Sequence, residues 1–148
     1  MPAIAVTFQS NLTASGSNST VTSASTTKAI TTPSGTALNI TALTQSIATS
    51  ATSIDVGGVD LTKAYALRFR NTAASTNGVG LENNLLVLCT VGGADRLVGM
   101  VRPGSMFGPI DVPGSGYSNA PTGWKLQSIG AAAIVAEIIA TQQSDTTT

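Results

Sequence analysis

The sequence has little charge. Charged residues make up 9% of its 148 residues and the formal net charge is zero, whereas about 25% charged residues are usual in a soluble domain. This gives little electrostatic attraction for DNA, RNA or anionic lipid, and it protects poorly against association. Two interpretations stay open: a surface largely covered by partner subunits, or a monomer coated with serine and threonine.

Histidine is absent and cysteine occurs once, which limits the chemistry that the chain can perform. Without histidine a Ser/His/Asp triad cannot be built, and the most frequent neutral metal ligand is missing. Cys89 alone forms neither an intrachain disulfide nor a cysteine cluster, and its neighbours in LLVLCTV predict a buried core thiol. The acidic residues stand singly, without the paired spacing of metal or glycosidase sites. We therefore expect no enzymatic activity, no cofactor and no metal site.

Long apolar runs are also missing. The nearest candidate, IGAAAIVAEIIA, is shorter than the about 20 residues of a membrane-spanning helix and contains Glu137. The first residues, MPAIAVTFQSNLT, show neither the basic region nor the apolar core of a signal peptide. We therefore expect synthesis in a cytoplasm and no membrane association.

The composition divides the chain into two parts near residue 53. Up to this position Ser, Thr and Ala dominate, and Lys28 is the only charged residue. Disordered segments usually carry more charge, Pro and Glu, so we predict an extended Ser/Thr-rich N-terminal arm over residues 1–36 that is partly strand. Such an arm has little apolar surface and is best ordered by lying on its own domain or on a neighbour. A single domain over residues 37–143 and a frayed tail over residues 144–148 complete the organisation.

Short strand patterns joined by Gly, Pro and Asn turns predict an all-β fold, either an antiparallel β-sandwich or a jelly-roll-like domain. The segment MFGPIDVPGSG belongs at a sheet edge or in a loop, because proline cannot donate to a ladder. Residues 131–141 fit a last strand or a short helix, since alanine favours helix whereas isoleucine and valine favour strand. We favour the strand. The clearer strand patterns are AIAVTFQ, ALNITAL, AYALRFRN, NLLVLCTV, RLVGMV and WKLQSI.

Several local features allow a structural and a functional interpretation. DVGGVD is a Gly-Gly turn or a calcium loop, and we favour the turn. NTAASTNGVG is a hairpin turn at Asn77 and Gly78 rather than a phosphate loop, since it lacks the Walker lysine. Trp124 is a core residue or a sugar-stacking platform, and we favour the core. Arg68 and Arg70 share one face of a strand, where they hold a phosphate, a carboxylate or an acidic partner strand, or form an exposed cross-strand charge pair.

The order of features over about residues 64–141 resembles small β-sandwich proteins of tailed bacteriophages. A strand in AYALRFRNT leads through the turn NTAASTNGVGLEN to an apolar strand. A "PG" segment then introduces an edge strand in RLVGMVRPGSMFGPIDVP, and the strands WKLQSIG and AAAIVAEIIA follow. Capsid decoration (cement) proteins and some tail accessory proteins show this order.

The resemblance implies a structural virion protein that binds the outside of a phage capsid and ties neighbouring capsid subunits together. Strand addition by the N-terminal arm would supply backbone hydrogen bonds with little demand on sequence. The implied partners are the major capsid protein and further copies of the chain, most often in a trimer, without nucleic acid. The implied location is the capsid surface after synthesis in the host cytoplasm. The candidate partner-contact residues are Arg68, Arg70, Arg102, Met106 and Phe107.

Two alternatives remain at this point. A low-copy tail or fibre component would share the fold. A non-catalytic carbohydrate-binding or adhesin module would need an exposed aromatic platform, and aromatic residues make up only 4% of the chain. Its large candidates are Tyr65, Tyr117 and Trp124.

Overall fold

The computed structural model describes residues 40–74, 83–114 and 118–142 in full, and before residue 40 it describes the backbone of four strands. Throughout this part of the chain the secondary structure is β-strand, with no helix. It accordingly offers no helix long and apolar enough to cross a membrane. The prediction of an all-β fold is confirmed for these residues.

The four N-terminal strands form two antiparallel pairs. Strand β1 pairs with β4, and β2 pairs with β3. In the sequence, the β2–β3 pair therefore lies between the two strands of the β1–β4 pair. That this segment reaches a neighbouring subunit stays a prediction. The bounds are β1 (Ala5–Ser10), β2 (Ala14–Gly16), β3 (Ser19–Val21) and β4 (Thr26–Thr31).

The eight strands that follow form two antiparallel sheets of four strands each. Sheet I has the order β10-β7-β12-β5, and sheet II has the order β6-β11-β8-β9. Neighbours in each sheet are distant in sequence except for β8 and β9, so the fold is built from long-range pairings. The bounds are β5 (Ile40–Ile47), β6 (Thr52–Ser53), β7 (Tyr65–Asn71), β8 (Leu85–Val91), β9 (Ala94–Val101), β10 (Met106–Val112), β11 (Gly123–Ser128) and β12 (Ile134–Gln142).

One hydrophobic core contains side chains from both sheets. Phe69 and Ile138 of sheet I and Val87 and Leu126 of sheet II are fully buried in it. Burial alternates along β11 and β12, as expected when one face of a strand meets the core and the other meets solvent. Burying this apolar area is the main favourable contribution to folding.

A polar contact also joins the two sheets inside the core. The indole Nε1 of Trp124 on β11 donates a hydrogen bond of 2.6 Å to the hydroxyl oxygen of Tyr65 on β7. Both side chains are buried, at 5% and 0% exposure. Burial raises the pKa of the Tyr65 hydroxyl, because the phenolate would lose its hydration.

Most strand predictions are confirmed. Strand β7 matches AYALRFRN, and β8 matches NLLVLCTV and lies in the interior of sheet II. Cys89 on β8 is buried. Strand β10 with Pro109 is an edge strand of sheet I, as the prolines require. Residues 134–142 form strand β12, so the strand interpretation is correct and the helix is not.

Asn71 forms a group of hydrogen bonds at one end of the two sheets. It is fully buried, and its Nδ2 donates hydrogen bonds to the carbonyl oxygens of Asn83 at 2.6 Å and Val101 at 3.0 Å. Its backbone N–H donates to the carbonyl of Ser105, and its own carbonyl accepts from the N–H of Gly104. The end of β7 is therefore bonded to the entry of β8 and to the connection between β9 and β10.

That connection is a tight turn over residues 102–105. The N–H of Ser105 donates to the carbonyl of Arg102 at 2.9 Å. Pro103 and then Gly104, with φ of +73°, occupy the two central positions, which is the pattern of a type II turn. The turn carries Arg102 to the end of sheet I where Arg70 lies.

Candidate functional site

The DVGGVD segment forms a turn whose carboxylates are engaged within the loop. Asp55 Oδ1 accepts the N–H of Gly57 at 2.8 Å, and Gly57 has φ of +58°. A Cβ at Gly57 would also collide with Thr41. Asp60 Oδ1 accepts from both the N–H and the hydroxyl of Thr62, which lowers the pKa of Asp60. Residues 40–74, 83–114 and 118–142 contain no group of three or more His, Cys, Asp or Glu able to hold a metal.

The aromatic residues do not form a sugar platform in the part of the chain that the structure describes. Trp124 is a core residue, as predicted, and Tyr65 lies beside it. Tyr117 and the predicted hairpin turn at Asn77 and Gly78 lie outside the described residues. The carbohydrate-binding alternative therefore loses two of its three large aromatic candidates.

The outer face of sheet I carries a cross-strand charge cluster, which we call the charged face: Arg68, Arg70 and Glu137. In the ladder Glu137 stands directly opposite Arg70 and diagonal to Arg68. Its Oε1 lies 2.8 Å from Arg68 Nη2, and its Oε2 lies 3.6 Å from Arg70 Nη1. The structure thus contains the cross-strand charge pair, whereas binding of a phosphate, a carboxylate or an acidic partner strand stays a prediction.

One carboxylate is shared by two guanidinium groups on this face. Arg70 is the more exposed of the two arginines, with 48% of its side chain accessible, and among the described residues its one ion pair is the 3.6 Å contact to Glu137. Most of its donors therefore remain available to an acceptor from outside. Arg68 is held more tightly, and its Nε is buried without a hydrogen-bond partner among the described residues.

The other predicted contact residues divide between surface and core. Met106 stands opposite Arg70 in the ladder and is 53% exposed. Arg102 is exposed in the turn at the same end of the sheet. Phe107 instead points inward, where its ring stacks on Phe69 with centroids 6.4 Å apart. The structure thus places three of the five predicted residues, Arg68, Arg70 and Met106, on one side of sheet I, with Arg102 in the adjoining turn and Phe107 against the core.

The outer face of sheet II carries a group of apolar side chains that the sequence analysis did not single out. This apolar face consists of Leu86 and Leu88 on β8 with Met100 and Leu97 directly opposite them on β9. Leu97 is 63% exposed and Met100 is 45% exposed. They are among the most exposed large apolar side chains in the described residues, and they lie on an edge strand.

A β-bulge creates this face. The pairing steps from Val87 opposite Gly99 to Leu88 opposite Leu97, so Val98 is an extra residue in β9. An extra residue reverses the alternation of side chains beyond it. Leu97 and Met100, three positions apart, therefore lie on the same face, where simple alternation would separate them.

Polar groups border the apolar face. Lys125 Nζ lies 2.7 Å from Asp95 Oδ2, and the hydroxyl of Thr90 donates to Asp95 Oδ1 at 2.8 Å. These bonds lower the pKa of the Asp95 carboxyl, with Lys125 the largest cause. An apolar centre with a polar rim is the usual anatomy of a protein interface.

Comparisons with protein family models, curated proteins and solved structures found no match.

Proposed function

We propose that the chain is a non-enzymatic structural protein of bacteriophage particles, a capsid decoration protein that binds the outside of the capsid and ties neighbouring subunits together. The observation that carries the proposal is the strand order. When β5 to β12 are renumbered 1 to 8, sheet I reads 6-3-8-1 and sheet II reads 2-7-4-5. From this order we infer an eight-stranded jelly roll, an architecture common in viral capsid proteins and lectins.

A decoration protein needs surfaces that bind other subunits, and the outer faces of the two sheets offer such surfaces. The apolar face offers Leu97 and Met100 for burial, with the Asp95–Lys125 pair at its rim. The charged face offers Arg70, whose guanidinium fork suits a carboxylate on a partner. Binding through two faces of one rigid body is a direct way to tie neighbouring subunits together.

A lectin and a tail component would share this architecture, but a lectin fits these observations less well. A lectin of the aromatic-stacking kind needs exposed rings, whereas Tyr65 and Trp124 are buried in the core. A tail or fibre component would use the same surfaces and would differ in its number of copies per particle.

Copy number therefore tests the proposal. Quantitative mass spectrometry of purified virions from the source, with the major capsid protein and a tail protein as internal standards, gives the ratio directly. We expect a ratio near one chain per major capsid subunit or per few subunits. A few copies per particle would assign the chain to the tail, and absence from particles would overturn the virion proposal.

A further inference from the structure

We propose that the charged face of sheet I binds one carboxylate of a protein partner on the Arg70 guanidinium, and that Glu137 beside it favours this singly charged ligand over a phosphate. This site deepens the proposed function, on which it rests for the partner's being a protein subunit.

Arg70 lies in a row of four residues that crosses sheet I. In the ladders Met106 stands opposite it on β10 and Glu137 stands opposite it on β12, with Thr44 next on β5. Arg68, two residues before Arg70 on β7, faces the same way. The register therefore places both guanidinium groups beside one carboxylate in the middle of an outer face.

The charged face has two cations and one anion, so one positive charge is in surplus. Arg68 is 22% exposed, and its Nη2 lies 2.8 Å from Glu137. Arg70 is 48% exposed and lies 3.6 Å from the same carboxylate. The surplus charge is therefore accessible at Arg70. A planar guanidinium with open donors pairs with a carboxylate through two parallel hydrogen bonds.

Glu137 determines which anion fits. An anion on Arg70 lies near the Glu137 carboxylate, whose Oε2 is 3.6 Å from Arg70 Nη1. A phosphorylated side chain carries a charge of about −1.5 to −2 at neutral pH, so this carboxylate repels it more strongly than it repels a singly charged ligand. One added negative charge balances the cluster, and a second exceeds it. The arrangement therefore favours a carboxylate.

The neighbours of Arg70 point to a protein as the source of the carboxylate. Met106 is 53% exposed, and Val135, two residues before Glu137 on β12, is 47% exposed. Methionine and arginine are enriched in protein interfaces. A protein partner buries these apolar side chains together with the ion pair, which a small carboxylate ion does not. The occupant is thus an Asp or Glu side chain with apolar neighbours.

A second copy of the chain fits this face poorly. A two-fold contact centred on Arg70 would bring together two faces that each carry the same positive surplus. Like charges across an interface disfavour association. The partner is therefore a different protein with an acidic surface.

The test is peptide binding to the full chain, followed through the arginine Nε–H signals in NMR spectra of the isotope-labelled protein. The probes are three capped tripeptides with leucine on both sides of a central glutamate, glutamine or phosphoserine. We expect the glutamate peptide to shift the Arg70 signal saturably and the glutamine peptide to leave it unchanged. The phosphoserine peptide should bind more weakly than the glutamate peptide, despite its larger charge.

Variants assign the binding to Arg70. Arg70→Gln should weaken binding of the glutamate peptide by about tenfold, because it removes hydrogen bonds from a charged donor. The charge-matched control is Arg96→Gln on the exposed strand β9 of the other sheet, which should change binding by less than about twofold. If circular dichroism shows that Arg70→Gln does not fold, Arg70→Lys keeps the charge and should weaken binding severalfold by losing the planar fork.

A further variant tests the role of Glu137 in selecting the ligand. Glu137→Gln should reverse the order of the two anions, so that the phosphoserine peptide becomes the tighter ligand. A residue that only supports the fold would not produce this reversal. An unchanged order in the folded variant would contradict the assigned role.

Four other results would overturn the proposal. Three concern the unmodified chain: equal binding of the glutamate and glutamine peptides, tighter binding of the phosphoserine peptide, or no saturable shift of Arg70 at the solubility limit of the glutamate peptide. The fourth is a dimer that Arg70→Gln abolishes, because a second copy would then occupy the face. None of these results depends on virion copy number, so this site and the proposed function succeed or fail separately.

Discussion

The outer faces of the two sheets show how one alternating strand pattern produces two different surfaces. On sheet I, the ladder sets Glu137 against Arg68 and Arg70, so the carboxylate is paired within the sheet while most donors of Arg70 stay open. On sheet II, the ladder sets Leu88 against Leu97 and Leu86 against Met100, and among the described residues Leu97 and Met100 stay 63% and 45% exposed. The residue opposite in the ladder therefore decides whether a side chain on the outer face is paired within the sheet or left exposed.

The largest expected effect on stability comes from the core between the two sheets. Phe69 is fully buried, and its ring lies 6.2 Å from that of Trp124 across the core. Phe69→Ala should lower the free energy of unfolding by about 3–5 kcal/mol in urea denaturation. The exposed Val135→Ala serves as the control and should change little. Two separate unfolding transitions, or a loss below about 1 kcal/mol, would show that the faces do not belong to one cooperative body.

A smaller effect is expected from the hydrogen bond that joins the sheets. Tyr65→Phe removes the acceptor of Trp124 Nε1 and leaves that donor buried, at a cost of about 1–3 kcal/mol. Burial raises the pKa of Tyr65 above its ordinary value of 10.0, so the folded chain keeps a proton that the unfolded chain loses. This contribution to stability is complete below about pH 10 and is lost as the pH rises through the pKa of folded Tyr65.

The pH dependence can be checked by thermal melting of both chains between neutral and alkaline pH. The unmodified chain should lose stability more steeply above the ordinary tyrosine pKa than Tyr65→Phe does. Equal slopes for the two chains would contradict the buried position of the hydroxyl.

Removing the shared carboxylate tests the charged face. Glu137→Gln leaves two neighbouring guanidinium groups without their counter-ion in a partly buried site. We expect a loss of about 1–2 kcal/mol in denaturant unfolding, because hydrogen bonds to charged groups exceed neutral ones in strength. Asp95→Asn at the rim of the apolar face is the comparison, and its effect should be smaller because Asp95 pairs with one cation, Lys125, whereas Glu137 lies between two. The reverse ranking would mean that the charged face contributes little to the fold.

The smallest effect on stability should come from the apolar face. Leu97→Ser changes a side chain that is 63% exposed, so in dilute solution the free energy of unfolding should stay within about 0.5 kcal/mol of the unmodified value. Binding of a partner to the apolar face should nonetheless weaken. A large loss of stability in the dilute chain would mean that Leu97 packs within its own subunit.

Much of the fold could be predicted because the alternation of apolar and polar residues along a strand can be read directly from a short stretch of sequence. The inward positions of Phe69, Trp124 and Leu126 follow from period-two patterns, and the edge position of β10 follows from its prolines. Alternation assigns a residue to a face but does not identify its neighbour in the next strand. The contact between Arg68 and Glu137, 69 residues apart, therefore emerged only from the register.

The features that sequence analysis missed depend on a one-residue shift in strand pairing and on buried polar contacts. The bulge at Val98 moves Leu97 to the face of Met100, and nothing in RLVGMV marks it except the neighbouring Gly99. Asn71 ends β7 as an ordinary polar residue in the sequence, although it bonds three parts of the chain. Residues with such roles are defined by partners far along the chain, which composition and periodicity do not reveal.

The pairing of Trp124 with Tyr65 has a practical consequence for spectroscopy. Trp124 is the only tryptophan in the chain, and it lies between the sheets rather than on either outer face. Its fluorescence emission therefore reports on the interior alone, with a red shift when the sheets separate and water reaches the indole. Binding of a partner to either outer face should leave the emission maximum unchanged, so one native fluorophore distinguishes unfolding from dissociation of a partner without a label.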